Sequence, residues 1–136
     1  MPGRGRRRKV ERPQWRQFLA VAENFAQAAE LAKTFEYWNA AGVLIVHAAI
    51  ALTDAITVKV GGVKSASPDH AVAADILEEV VAIDAEGKKA VAHLRAVLEE
   101  KSLVSHSGHI YNQEDIRRMS RHAARYQAWA RQFLSG

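Results

Sequence analysis

Apolar residues recur at steps of three and four along most of the chain, the spacing that places them on one face of an α-helix. The first such stripe covers residues 15–32 and follows Pro13, which suits a first helical turn. A second stripe covers residues 37–58 and stops at Gly61, a residue that tolerates the positive φ of a helix end. The rhythm slips at residues 33–36, which predicts a tight turn, with one bent helix as the alternative.

The second predicted helix is apolar on nearly every side. Beyond its main stripe it carries further large apolar residues, namely Val43, Ile45, Val46, Ile50, Leu52 and Ile56. A helix without a polar face belongs in the interior of a protein, so we expect it to be the central and most buried element. Its many alanines would let neighbouring helices approach closely.

Three further helices are expected downstream. In chain order the pattern predicts a loop at residues 61–68, a helix from Ser67 and Pro68 to about Asp84, a helix over residues 86–101, a polar connection at residues 102–112, and a last helix from its cap Asn112 to Phe133. The pattern contains no convincing strand and no internal repeat. We therefore predict an all-α fold, an antiparallel up-and-down bundle of four to five helices.

Length and composition narrow the class of protein. The chain has 136 residues, which indicates one domain, and no cysteine, which excludes disulfides, thiolate metal sites and cysteine nucleophiles. No uninterrupted apolar run reaches the roughly 18 residues of a membrane span. An amphipathic segment follows the basic N-terminus, where a signal peptide would have its apolar core. We expect a cytoplasmic protein that does not engage a membrane.

Positive charge is concentrated at the N-terminus. The net charge is +4, yet the first sixteen residues alone carry seven basic residues against the single acid Glu11. We therefore divide the chain into a basic flexible arm at residues 1–12 and a single bundle domain at residues 13–136. The arm would contact phosphate groups of a nucleic acid, or it would be a solvated leader that binds nothing.

An ordered series of short sequences resembles one known family. It comprises YWNAAGV at residues 37–43, HAAIALTDA at residues 47–55, Lys64 with Ser65, and Asp69 with His70. In this order the chain resembles bacterial HEPN-domain proteins over about residues 14–134, outside the basic arm. The resemblance implies a HEPN-like helical bundle. Several members of that family are metal-independent ribonucleases, often toxins paired with a nucleotidyltransferase-like antitoxin, whereas others are noncatalytic.

The resemblance also implies a catalytic motif, an arginine followed after four to six residues by a histidine. Arg117 and His122 match that spacing, and they would stabilise phosphate charge and move a proton. On an ideal helix their side chains point about 140° apart, whereas Arg118 and His122 share a face. The motif also departs from the family pattern at Arg118 and Ala124, where a polar residue and a tyrosine are common. The catalytic candidates are therefore Arg117, Arg118 and His122.

Polar residues within the most apolar predicted helix form another candidate site. His47 and Asp54 are seven residues apart, on one stripe but roughly 10 Å apart along the axis, so they cannot touch. We expect both to be hydrogen-bonded within the bundle, because a buried polar group needs a partner. They are either satisfied core residues or components of a ligand site.

Two further groups are candidates for binding a phosphate. Lys64 and Ser65 precede the third predicted helix and His70 occupies its first turn, where free amides would attract an anion unless Asp69 caps them. Arg121 lies in a row of arginines on the last helix that could track an RNA backbone or be neutralised by neighbouring acids. The sequence predicts no cofactor and no metal site.

The expected function is binding of RNA or a nucleotide by a homodimer, and the sequence leaves open whether the protein also cleaves RNA. The homodimer is expected because a helix that is apolar on every side tends to leave one apolar face uncovered. The alternative is a noncatalytic homodimeric interaction module. It would recruit a protein partner such as a nucleotidyltransferase-like antitoxin.

Overall fold

The protein is mainly helical, as predicted. The computed structural model describes residues 6–135. Its elements are β1 (Arg7–Lys9), a 3-10 turn (Arg12–Gln14), α1 (Trp15–Thr34), α2 (Trp38–Gly61), β2 (Val63–Ser65), α3 (Ala71–Val80), α4 (Ala85–Leu98), α5 (Lys101–His106), α6 (Gln113–Ala130) and a second 3-10 turn (Arg131–Phe133). Five of these helices have ten or more residues, and α5 is a short sixth.

The helix α2 is the central element, which confirms the prediction from its apolar composition. Every residue from Ala51 to Val58 is buried, so neighbouring elements cover this part of the helix on all sides. By length and composition α2 could cross a membrane, but 67% of its apolar stretch is buried inside the bundle. That burial is typical of the core helix of a soluble protein.

The turn between α1 and α2 shows that two helices are present and not one bent helix. Tyr37 N donates to Ala32 O at 2.9 Å, and Glu36 adopts a left-handed φ of 59°. A glycine usually occupies such a position at the end of a helix. The sequence signal was weak here because glutamate takes its place.

The N-terminal segment differs from the predicted flexible arm, because it contributes a strand to a two-stranded ribbon. β1 pairs antiparallel with β2, with Arg8 opposite Lys64, and Val10 N donates to Gly62 O at 2.9 Å. Arg7 also reaches α3, where its guanidinium donates to both carboxylate oxygens of Glu79 at 3.2 and 3.0 Å. The predicted absence of strands is therefore wrong for residues 7–9 and 63–65, whereas residues 1–5 lie outside the described part.

The strands were missed for a physical reason. A run of basic residues has no alternation of apolar and polar positions, so its local sequence does not favour a strand. Its extended conformation depends on backbone hydrogen bonds to β2 and on the contact of Arg7 with Glu79, both distant in sequence. Tertiary contacts of this kind override local preference.

Several helix boundaries also differ from the prediction. The third helix covers Ala71–Val80 and not residues 68–84, because Val81 is extended and Asp84 instead caps α4 by accepting from Gly87 N at 2.8 Å. The predicted polar connection at residues 102–112 contains most of α5. The last helix begins as predicted, with Asn112 and Asp115 forming a reciprocal capping box.

Candidate functional site

The helix α6 separates an apolar face from a basic face. Its buried residues are Ile116, Met119, Tyr126 and Ala130. Tyr126 is fixed to α2 by a hydrogen bond of 2.7 Å between its hydroxyl and that of Thr53. Between residues 116 and 135 the chain has five arginines and no acidic residue. Because the apolar residues of α6 face the core, the arginines at its other positions are exposed to solvent.

The first two arginines of this helix are held by carboxylates. Arg117 donates to Glu114 at 3.0 Å, one turn before it on the same helix. Arg118 donates to Asp115 at 3.3 Å and to Glu100 at 3.5 Å. The positive charge that a substrate phosphate would meet is therefore reduced at both of the predicted catalytic arginines.

The predicted catalytic histidine pairs with another histidine. The Nδ1 atoms of His93 on α4 and His122 on α6 are 2.9 Å apart, and the ring centroids are 5.1 Å apart. One nitrogen must carry the proton and the other must accept it. Within residues 6–135, no hydrogen bond joins His122 to Arg117 or Arg118.

The surroundings of His93 favour its neutral imidazole. The pKa of His93 is lowered from its ordinary value, first by partial burial and then by the charges of His122 and Arg125. A second proton on the pair would place two cations within hydrogen-bonding distance. With a single extra proton, the pair would hold one neutral imidazole, which can accept a proton, and one imidazolium, which can donate one, as general acid–base catalysis requires. Sequence reasoning missed His93, because nothing local links it to a residue 29 positions later.

The remaining arginines of α6 differ from the first two. Arg121 and Arg125 are exposed, and neither makes an ion pair with any residue that the structure describes. Arg125 lies close enough to His93 to lower its pKa. We call Arg121, His122, Arg125 and His93 the α4–α6 face.

A second cluster forms around two other predicted residues. The charge of Lys101, which begins α5, lowers the pKa of His47 on α2 and of His70 before α3, and the charge of His47 also lowers the pKa of His70. Burial is the first cause that lowers the pKa of each histidine, and Lys101 is the second. The structure thus brings His47 and His70 together, and it adds Lys101, which the sequence gave no reason to choose.

The immediate contacts of this cluster are mainly apolar and cationic. The His47 ring lies 5.5 Å from the Phe25 ring between centroids, and within the described chain it has no hydrogen bond. The expectation that His47 is hydrogen-bonded is therefore wrong, because a partly exposed ring can also meet solvent. A hollow of about 310 Å³ is lined by His70 and Lys101, and also by the acidic residues Asp69 and Glu99.

Asp54 and Lys64 form a separate pair, as the seven-residue spacing from His47 predicts. Lys64 Nζ lies 3.6 Å from Asp54 Oδ2, and only 6% of the surface of Asp54 is exposed. Burial raises the pKa of Asp54 to about 6, although Lys64 and Arg8 act in the opposite direction. The expected partner of Asp54 is therefore a residue of β2.

The segment before α3 follows the capping alternative. Ser65 Oγ accepts from Ser67 N at 3.2 Å, and Asp69 Oδ1 accepts from Ala71 N at 3.0 Å. The next two amides donate to backbone oxygens of Asp69 and His70. These amides are already bonded, so they leave no open cradle for an anion at the start of α3.

The candidate residues do not form a metal-binding group, and the chain matches no known protein. Within residues 6–135, no group of three or more histidines and carboxylates has a geometry that could hold a metal ion. Comparison of the chain with protein-family models, curated proteins and solved structures gave no match.

Proposed function

We propose that this protein binds RNA on the α4–α6 face. The supporting observation is that Arg121 and Arg125 form no ion pair with any described residue and lie beside the coupled histidines His93 and His122. Arginines at i and i+4 lie about 6 Å apart along a helix, close to the spacing of successive phosphates in an extended strand. Guanidinium groups that are not held by carboxylates are available for phosphate oxygens.

The same face carries groups suited to RNA cleavage without a metal. One imidazole of the His93–His122 pair would accept the proton of a ribose 2′-hydroxyl, and the other would donate to the leaving oxygen. Arg121 or Arg125 would stabilise the charge on the phosphate. Arg117 and Arg118 would take a supporting role, because carboxylates already hold them.

A binding experiment tests the first part of the proposal. Labelled single-stranded RNA is titrated with the wild type and with an Arg121→Ala/Arg125→Ala variant at low salt. Lys88→Ala/Lys89→Ala is the control, since it removes the same formal charge from exposed positions on α4. We expect roughly tenfold weaker binding for the α6 variant and a much smaller loss for the control. Equal affinities of the two variants would contradict the proposal.

A cleavage experiment tests the second part. RNA is incubated with the wild type, His122→Ala and His93→Ala in the presence of a chelator. We expect cleavage by the wild type to be lost in both variants. Absence of cleavage by the wild type, or cleavage that survives either substitution, would leave a binding protein without this catalytic pair.

A different surface supports the alternative function, a noncatalytic homodimeric module. A groove of about 630 Å³ runs between α1, α2 and α6, and it contains seven alanines, Ala22, Ala26, Ala29, Ala48, Ala49, Ala123 and Ala124. Ser120 also borders it, and its hydroxyl is the one buried side-chain polar atom without a hydrogen bond in the described chain. A surface of small residues permits close approach of a second helix.

The charges beside this groove favour a second copy of the chain as its occupant. Glu23 lies on the α1 wall and Arg131 on the opposite wall, and neither has an ion-pair partner among residues 6–135. A two-fold axis along the groove would place the acidic wall of one copy against the basic wall of the other. The dimer would then be available to a protein partner such as a nucleotidyltransferase-like antitoxin.

Light scattering during size-exclusion chromatography tests this arrangement. We expect a wild-type dimer, a shift toward monomer in Glu23→Arg or Arg131→Glu, and recovery of the dimer when both changes are combined. A wild-type monomer, or single variants that remain dimeric, would contradict it.

In both arrangements we propose that the protein is cytoplasmic and HEPN-like.

A further inference from the structure

The ordered N-terminal segment creates a basic surface far from α6 in sequence. A hollow of about 640 Å³ lies between β1, the 3-10 turn that follows it, and the end of α2. Its basic lining residues are Arg8, Lys9 and Arg12, and its one acidic lining residue is Glu11. We call this surface the basic hollow.

The backbone around the basic hollow is fixed by contacts on both sides. β1 is hydrogen-bonded to β2, and Ala66 N donates to Arg6 O at 3.0 Å where the ribbon ends. Gly62 has a φ of 66°, which a side chain would strain, and it brings its carbonyl to Val10 N. The cationic residues therefore stand on ordered backbone, which reduces the conformational entropy lost when a ligand binds.

The cations of the hollow are available to a ligand. Lys9 and Arg12 are exposed and make no ion pair with any residue in the described chain. Arg8 is exposed as well, and its charge acts to lower the pKa of the buried carboxyl group of Asp54. The side chain of Arg12 lies across Gly62, with Nε 3.6 Å from the point where a β-carbon would stand.

We propose that the basic hollow is a second RNA contact, which holds the sugar-phosphate backbone of single-stranded RNA through Lys9, Arg12 and Arg8. The proposal rests on the proposed function for the identity of the ligand, but it uses different residues. Clustered cations with few opposing acids give the electrostatic attraction on which phosphate-backbone binding depends.

The shape of the surface favours a nucleic acid over a lipid bilayer. Binding to a lipid bilayer is strengthened by apolar side chains that enter the lipid beside the basic residues. The basic hollow is concave, and none of the exposed large apolar side chains of the described chain lines it. A narrow, flexible strand of nucleic acid can follow such a surface.

The test extends the RNA titration to Lys9→Ala/Arg12→Ala, with Arg8 retained because its charge opposes protonation of Asp54. We expect about tenfold weaker binding at low salt and a log–log salt dependence reduced by about 1.4, the value for two lost contacts to single-stranded nucleic acid. Lys88→Ala/Lys89→Ala is again the charge-matched control. Circular dichroism and thermal unfolding establish that each variant is folded.

The outcomes separate the two RNA proposals. Loss of affinity in Lys9→Ala/Arg12→Ala beyond that in the control supports the basic hollow, even if Arg121→Ala/Arg125→Ala binds normally and the α4–α6 proposal fails. If RNA affinity falls only in Arg121→Ala/Arg125→Ala, the basic hollow is not an RNA contact. A wild type that binds no RNA, but binds anionic phosphatidylglycerol vesicles in a manner that depends on Lys9 and Arg12, also overturns it.

Discussion

His122 acquires its chemical environment from a residue of another helix. Its spacing from Arg117 matched a known motif, but its hydrogen-bonding partner is His93, and Arg117 is held by Glu114. His47 could be selected from the sequence as a polar residue in an apolar helix, and His70 for its place at a helix start, yet their common neighbour Lys101 could not. Residue types can be chosen from a sequence, whereas the pairing of side chains depends on how the helices pack.

The coupling of the two imidazoles gives a prediction for the titration of His93. His122→Ala removes a like charge, so the pKa of His93 should rise toward its ordinary value while partial burial still lowers it. Carbon–proton NMR of the His93 ring, followed against pH, measures the change. His106→Ala serves as the control, because this histidine lies on α5 and is not among the charges that lower the pKa of His93. An unchanged His93 titration would contradict the coupling.

Asp54 gives a second prediction at the scale of the residue, concerning stability. Its pKa of about 6 in the folded protein is above the ordinary 3.8, so the folded state holds the proton more tightly than the unfolded state. The stabilisation from this group is complete below about pH 4 and is lost as pH rises to about 6, by an amount on the order of 3 kcal/mol.

Urea denaturation between pH 4 and pH 7 measures that contribution. Asp54→Asn should lack it, so the difference in unfolding free energy between wild type and variant should change across this window and stay constant above it. Glu86→Gln, at an exposed ion pair, provides the control. Parallel stability curves for wild type and Asp54→Asn would show that burial does not raise this pKa.

At the scale of the element, the spacing of apolar residues predicted those helices that bury a continuous row of apolar side chains. α1, α2 and α6 lie close to their predicted positions because each packs through residues at helical spacing. The ribbon of β1 and β2 was not predictable in this way, since its stability comes from cross-strand and ion-pair contacts between residues more than fifty positions apart. The basic hollow could not be predicted for the same reason.

The packing of α6 on α2 gives a prediction for this scale. Thr53 donates to Ala49 O at 2.8 Å, so its hydroxyl accepts the proton of Tyr126. Tyr126→Phe keeps the ring and removes this buried hydrogen bond, and it should lower the free energy of unfolding by about 1 kcal/mol. Tyr37→Phe, at an exposed tyrosine, should have no comparable effect in the same denaturation experiment. A neutral Tyr126→Phe would contradict the pairing.

At the scale of the whole molecule, charge and apolar surface are separated. Basic residues without ion pairs occur on the α4–α6 face and in the basic hollow, whereas alanines form the floor of the groove between α1 and α6. Two cationic surfaces on one small protein would strengthen RNA binding through simultaneous contacts. The average net charge of +4 does not reveal this arrangement.

The central claim is that RNA contacts the arginines of α6 that carboxylates leave free. Titration of nitrogen-15-labelled protein with a short single-stranded RNA, followed by NMR at each arginine Nε–H group, tests it most directly. We predict large shifts for Arg121 and Arg125 and small ones for Arg95, which Asp75 and Glu78 hold on both sides. Unchanged signals from Arg121 and Arg125 at saturating RNA would contradict the claim.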